Sequence, residues 1–191
     1  MKILHISYSN YFGGANVAAY RIFKCQKLLG FDVDFLVIKK NGNEKNIIKY
    51  IYKNYIFREN IRNYIIKFFN IFTQNKESNS YNILPSDLHK FINNSSYDIV
   101  NFHWVNNEMI SLKEISKIKK NLFWTFHDMW PLLGSEHYKI KIKKKNKLIN
   151  IFYKYFDFSN YIKSKKKIYF SKVDIKIILP SNWLKKEVLK N

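Results

Sequence analysis

The first 38 residues constrain the fold more than anything that follows them. "KILHISY" (Lys2 to Tyr8) is a short apolar run carrying Ile3, Leu4 and Ile6, and it empties into the polar turn "SNYFGGA". Apolar residues then recur at Ala15, Ala18, Ile22, Cys25 and Leu29, a spacing that predicts one stripe along a helix. Gly30 ends that helix, because glycine takes the left-handed conformation of a helix terminus cheaply. "FDVDFLVI" follows as a second strand. Strand, Gly-containing turn, helix, strand is a βαβ unit, with parallel strands and a right-handed crossover.

The rest of the chain keeps alternating. Asn46 to Thr73 reads as helical, in one piece or two. Ile61, Tyr64, Ile65, Phe68, Phe69 and Phe72 follow helical spacing, and Arg58, Arg62 and Lys67 lie mostly off that stripe. "TQNKESNSYN" is a polar loop, and "PSDLHKFINN" a short helix with Pro85 near its start. "YDIVNFHWV" is a third strand that leaves His103 and Trp104 at its end. Ser111 and Glu114 have capping-box spacing and start the next helix. "NLFWTFH" is a fourth strand and "VDIKIILP" a last one. Between them, "KIKIKKKNK" reads as a solvated loop and "IFYKYFDFSNYIKSKKK" as weakly helical. Ser181 is a natural N-cap for a final helix. The expected fold class is α/β: a Rossmann-like doubly wound parallel sheet in a single domain, residues 1–191.

Composition narrows the function classes. With 191 residues, 47% hydrophobic and 18% aromatic, the chain can bury one sizeable core and is not disordered. Lys and Arg outnumber Asp and Glu by 34 to 14, a formal charge of +20. That field attracts polyanions, anionic lipid head groups or phosphorylated substrates. A genome-wide bias toward Lys, Asn, Ile and Tyr would produce the same charge, so both readings stay open. Nucleic acid is the weaker partner, since no zinc finger or RNP motif accompanies the charge. The one cysteine, Cys25, excludes an intrachain disulfide and fits a reducing compartment. Its place on the helical stripe predicts a core position. The N-terminus lacks the long apolar segment and cleavage site of a signal peptide, and no run approaches the ~18 apolar residues of a membrane span. A cytoplasmic protein is expected, free or peripheral on the inner face of the membrane.

In open α/β sheets, ligands collect beyond the carboxyl ends of the strands. "SYSNYFGGA", "HWVN", "HDMWP" and "LPSNW" all fall there. Gly13 and Gly14 precede the first helix, where a backbone can approach a phosphate and the helix terminus offers free N–H groups. A tight strand-to-helix turn explains the same pair, and neither G-x-G-x-x-G nor a Walker loop is present. His103 and His127 each end an apolar strand. A lone strand-end histidine is an ordinary structural residue, but two at one sheet edge, one followed by Asp128, point to a site. Histidine can hydrogen-bond sugar hydroxyls or phosphate near neutral pH. Asn106, closing "HWVN", joins them as a candidate ligand-binding residue. Asp128 either orients a hydroxyl, acts as a base or caps the turn before Pro131.

Other chemistries fit poorly. There is no G-x-S-x-G elbow, no H-E-x-x-H and no cysteine pair. His127, Asp128, Glu136 and His137 lie close in sequence but without a recognised ligand spacing. Neither a metal nor a cofactor is expected.

The order "MKILHISYSNYFGGANVAAYRIFKCQKLLG", "FHWVN", "LFWTFHDMWPLLGSEHY" and "ILPSNWLKKEVLKN" resembles the N-terminal half of a family 4 glycosyltransferase of the GT-B type, in the exopolysaccharide or colanic-acid subgroup. The resemblance runs nearly end to end and is weakest between about Asn41 and Tyr81. "WTFHDMWP" is its most specific part. The resemblance implies transfer of a sugar, with retention, from a nucleotide-sugar donor to a glycan or lipid-linked acceptor in cell-surface polysaccharide synthesis. It implies that Gly13 and Gly14 reach toward the donor diphosphate and that His127 faces the reacting sugar, positioning it and assisting the leaving diphosphate. His103, Asn106 and Asp128 fall on the acceptor side.

Two departures qualify this. The subgroup has "GGCHY" and further cysteines where this chain has "GSEHY", so a cysteine cluster is lost there. The sequence also reaches Asn191 where the linker to the donor-binding domain would begin. The expectation is an acceptor-side domain, inactive or incomplete by itself: a truncated product, a degenerate gene, or half of a split enzyme whose C-terminal domain comes from a separate chain. The competing expectation is a basic, non-enzymatic membrane-surface module, based on the Phe/Ile stripe at 61–72.

Overall fold

The computed structural model describes residues 1–53, 55–72, 79–139 and 158–190. Its strands are β1 (Lys2–Ile6), β2 (Asp32–Val37), β3 (Ile47–Lys49), β4 (Ile99–Phe102), β5 (Asn121–Thr125) and β6 (Ile175–Ile178). Its helices are α1 (Gly14–Leu28), α2 (Tyr55–Phe72), α3 (Leu88–Asn94), α4 (Leu112–Ile115), α5 (Phe158–Phe170) and α6 (Asn182–Leu189). The six strands form one sheet in the order β3-β2-β1-β4-β5-β6, every neighbouring pair parallel. This is the doubly wound, Rossmann-like α/β arrangement. Its strand order reverses between β1 and β4, and in sheets of this kind ligands bind beyond the carboxyl ends of the strands at that switch point.

Strand parity divides the interior. Even-numbered Leu4, Ile6, Leu36, Val100, Phe102, Leu122 and Trp124 build the larger core with Ile92 of α3, Leu112 and Ile115 of α4 and Ile162 of α5. Odd-numbered Ile3, Val33, Phe35, Val37 and Ile47 pack against Ala19 and Phe23 of α1. Because both faces are covered, the central strands are buried residue by residue rather than alternately. Fully buried rings such as Phe23 and Phe35 each contribute about 2–3 kcal/mol by leaving water.

Two sequence expectations are corrected. Asn46 to Thr73 is not one helical region: Ile47–Lys49 is a third strand at the sheet edge, and the helix starts only at Tyr55. Edge groups of β2 explain this, since Phe35 N donates to Asn46 O and Tyr50 N to Val37 O, both at 2.8 Å. The stripe on α1 is also displaced by one residue. Its buried positions are Asn16, Ala19 and Phe23, with Gln26 next along the same face, while Cys25 and Leu29 are exposed. Cys25 is therefore not a core residue. The predicted 151–167 helix is described only from Phe158, and the "KIKIKKKNK" loop lies almost wholly outside the described residues. Ser111 and Glu114 form the predicted capping box, and Ser181 accepts from Leu184 N as the N-cap of α6.

Two buried carboxylates organise the irregular stretch before α3. Glu108 accepts from the N–H groups of Asn82, Ile83 and Leu84 at 2.6, 2.7 and 2.8 Å. Glu114 accepts from those of Ser86 and Asp87 at 2.8 and 2.6 Å. Residue 85 is proline, so every backbone N–H from 82 to 87 ends on one of these two side chains. A third anchor is Lys166 of α5. The residue is 2% exposed, and its ammonium lies over the Trp130 ring and donates to the carbonyls of Trp130, Leu133 and Gly134. Among the described residues no carboxylate makes a salt bridge with it.

Candidate active site

Toward the carboxyl edge, the α1 side of the sheet turns polar. His5, Ser7, Asn101, His103 and Thr125 are all buried there. They share odd parity, so β1, β4 and β5 present them to the same side as α1. Thr125 Oγ1 donates to Asn101 Oδ1 at 3.1 Å. Asn16, on the buried face of α1, accepts from Ser7 Oγ at 2.7 Å and Ser9 N at 3.2 Å, which fixes the turn after β1 against the helix.

Histidines form the centre of this layer. Gln26 Oε1 lies 2.7 Å from His5 Nε2, His5 Nδ1 lies 2.9 Å from His103 Nε2, and His103 Nδ1 lies 3.0 Å from His127 Nε2. One continuous chain thus runs from α1 through the ends of β1 and β4 to the end of β5. Burial pushes the His103 ring well below its ordinary pKa, and the neighbouring His5 and His127 push in the same direction. Burial also lowers His127, opposed by Asp128, and His5, opposed by its bond to Gln26. The three rings are neutral at pH 7. His127 is the partly exposed end, and its Nδ1 has no hydrogen-bond partner among the described residues.

A second cluster lies on the other side of His127. Asp128 Oδ1 accepts from Trp130 N at 2.9 Å, closing the turn before Pro131. Asp128 Oδ2 faces His137 Nδ1 at 2.6 Å and the Trp104 indole N–H at 3.1 Å. Trp104 and His137 stack with ring centroids 5.7 Å apart, and His137 Nε2 meets Ser80 Oγ at 3.0 Å. Tyr8 closes on Trp104 edge-to-face, and Arg62 of α2 donates to the Tyr8 hydroxyl at 3.1 Å. The exposed rings of Tyr11 and Phe12 continue this aromatic wall beside Gly13.

The sequence-predicted residues distribute as follows. Gly13 and Gly14 are exposed at the start of α1, and Gly13 has φ +78°. His127 is partly exposed just beyond the end of β5. His103 is 3% exposed with both ring nitrogens engaged, so it reaches a ligand only through His127. Asp128 spends both oxygens on protein donors, which favours turn closure over acceptor contact. Asn106 is buried, and its Oδ1 has no hydrogen-bond partner among the described residues. Sequence reasoning missed His5, Gln26, Asn16 and Trp104. The available signal was parity: the polar interruptions at 5, 101 and 125 match 103 and 127.

His127, Asp128, Glu136 and His137 do not converge as one ligand set, since Glu136 is held by Ser159 Oγ at 2.7 Å. Asp87, His89 and Glu114 do come within 4.8 Å of one another. Glu114 is already saturated there by Ser86, Asp87, His89 and Ser111. Comparison with protein-family models, characterised proteins and solved structures finds no match to this chain.

Proposed function

We propose that this chain is the acceptor-side domain of a glycosyltransferase of the GT-B type. It would help move a sugar, with retention, from a nucleotide-sugar donor to a hydroxyl of a glycan or lipid-linked acceptor. The observation that carries this reading is that two groups suited to a sugar and a phosphate both stand at the carboxyl edge of one parallel sheet. The neutral, partly exposed His127 ends β5 while the Gly13–Gly14 turn opens α1. A neutral imidazole can bond a sugar hydroxyl without attracting a proton from water. A helix N-terminus with no capping side chain favours the negative charge of a diphosphate.

In this reading His127 positions the transferred sugar and the aromatic wall of Tyr11, Phe12 and Trp104, backed by the buried Tyr8, receives the acceptor. A second, donor-binding Rossmann-like domain supplies the opposite wall and excludes water. Radiolabelled nucleotide sugars and lipid-linked acceptors, with and without candidate donor domains, test this. Sugar transfer is expected only in the paired reaction and is expected to disappear in His127→Ala. Transfer by the 191-residue chain alone would overturn the two-part reading, and an unimpaired His127→Ala pair would overturn the site.

One observation favours a second reading, a membrane-surface module. On α2, Phe57 and Tyr64 lie two turns apart and are 64% and 74% exposed, whereas Ile65 and Ile66 pack on the core. The predicted stripe is therefore divided between core and surface, and the side chains of Phe69 and Phe72 lie outside the described residues. With a charge of +20, such a face suits anionic lipid. Co-sedimentation with anionic liposomes, lost in a Phe57→Asp, Tyr64→Asp double variant, is the expected outcome. Equal binding by the variant would remove this reading.

A further inference from the structure

We propose that Gln26, a side chain on the buried face of the first helix, sets the tautomer of His127 through His5 and His103, so that His127, the partly exposed end of the chain, keeps an unprotonated Nδ1. The inference that this nitrogen then accepts a hydroxyl proton rests on the glycosyltransferase reading. The tautomer itself does not.

Proton counting sets the direction of the chain. Each nitrogen-to-nitrogen or nitrogen-to-oxygen link in it holds one proton, and a neutral imidazole carries one. Gln26 Oε1 can only accept, so the proton of the 2.7 Å link belongs to His5 Nε2. His5 Nδ1 is then a bare acceptor, and the 2.9 Å link takes its proton from His103 Nε2. His103 Nδ1 is bare in turn, and the 3.0 Å link takes its proton from His127 Nε2. Three rings supply three protons to three links, and the remaining site, His127 Nδ1, is left with a lone pair. That site lies across the ring from His103 and is unpartnered among the described residues. Reversing His5 or His103 would place two protons in one link and none in another, and reversing His127 alone would leave its link to His103 without a proton. His5 and His103 are fully or almost fully buried, so water cannot repair such a fault.

Gln26, His5 and His103 are therefore positioning residues. A donor in place of the Gln26 oxygen would reverse the whole chain and turn His127 Nδ1 into an N–H, which offers a hydroxyl the opposite polarity. The amide sits on α1, about three helix turns from the Gly13–Gly14 turn, so the helix that opens at that turn also carries the group that sets the tautomer of His127.

Long-range nitrogen–proton NMR of the histidine-labelled chain, without substrate, tests the tautomer directly. At pH 7.5 all three rings are expected to show protonated Nε2 and bare Nδ1. Gln26→Leu removes the acceptor and is expected to give His127 a measurable share of the Nδ1–H tautomer. Gln26→Glu keeps an acceptor and is expected to preserve the wild-type pattern, which provides a readout if the leucine variant folds poorly. His127 protonated at Nδ1 in the wild type, or an inverted pattern in Gln26→Glu, would overturn the proposal. So would a Gln26→Leu variant that folds but leaves His127 unchanged. The NMR measurement involves no sugar transfer, so failure of the glycosyltransferase reading would be seen separately.

Discussion

Asp128 Oδ2 and His137 Nδ1 lie 2.6 Å apart, both side chains about nine-tenths buried, and this pair joins the turn after β5 to a residue nine positions further on. The same oxygen takes the Trp104 indole N–H, so the loop after β4 is bound into the contact. Asp128→Asn keeps the shape but places an amide donor against existing donors. It is expected to lower the unfolding free energy by about 2–4 kcal/mol, read as a shift of the urea midpoint without a change of slope. A shift under about 0.5 kcal/mol, typical of surface substitutions, would show that this cluster does not hold the loops.

The histidine chain gives stability a pH dependence of definite sign. Burial holds His5, His103 and His127 below their ordinary pKa in the folded protein. The unfolded chain protonates them near pH 6.5, about the ordinary histidine value. Below that pH the unfolded state binds more protons, so the stabilisation present at higher pH is lost as pH falls toward the folded values. The slope approaches about 1.4 kcal/mol per pH unit for each ring that stays neutral. Urea unfolding across roughly pH 7.5 to 5.5 is expected to show this decline, and a flat profile would contradict it.

Glu114 acts in a separate, more acidic window. Burial pushes its carboxyl up, but donors from Ser111 and Ser86 outweigh that and hold it below its ordinary value. Its contribution is therefore complete above the unfolded pKa, about 4.3, and is lost as pH falls through the folded value. Glu114→Gln should flatten that acid limb. It should also cost about 2–4 kcal/mol at neutral pH, since its amide cannot accept from all the donors Glu114 serves.

The paired glycines separate backbone strain from ligand approach. Gly13 has φ +78° and a Cβ there would stand 3.2 Å from Asn16 Nδ2, so Gly13→Ala is expected to cost about 1–2 kcal/mol. Gly14 has open space around its missing Cβ, so Gly14→Ala should leave thermal unfolding nearly unchanged. If a diphosphate approaches this turn, Gly14→Ala should nonetheless weaken nucleotide-sugar binding, measurable by calorimetry on the paired enzyme. Unchanged affinity would remove the turn from the donor site.

Much of the sheet was legible because β1, β2, β4, β5 and β6 are apolar runs with helices between them. β3 was not, because three residues are too few to show a period and its pairing is dictated by open groups on β2. The stripe on α1 was misplaced by one residue for a related reason. Its buried face carries Asn16 and Gln26, whose partners Ser7, Ser9 and His5 come from another element. Apolar periodicity cannot register a polar side chain that is buried because it is satisfied. His127 and the glycine turn could be picked out at strand and helix ends, whereas the chain behind His127 depends on three strand termini meeting in space.

Lys166 has a consequence for the chemistry of the surface as a whole. Among the described residues most lysine side chains are open to amine-selective reagents, but this one is capped by three carbonyls and an indole face. Acylating it requires α5 to lift away from the Trp130–Gly134 turn. Its labelling rate, followed by peptide mass mapping, therefore acts as a clock for how often that corner of the molecule opens.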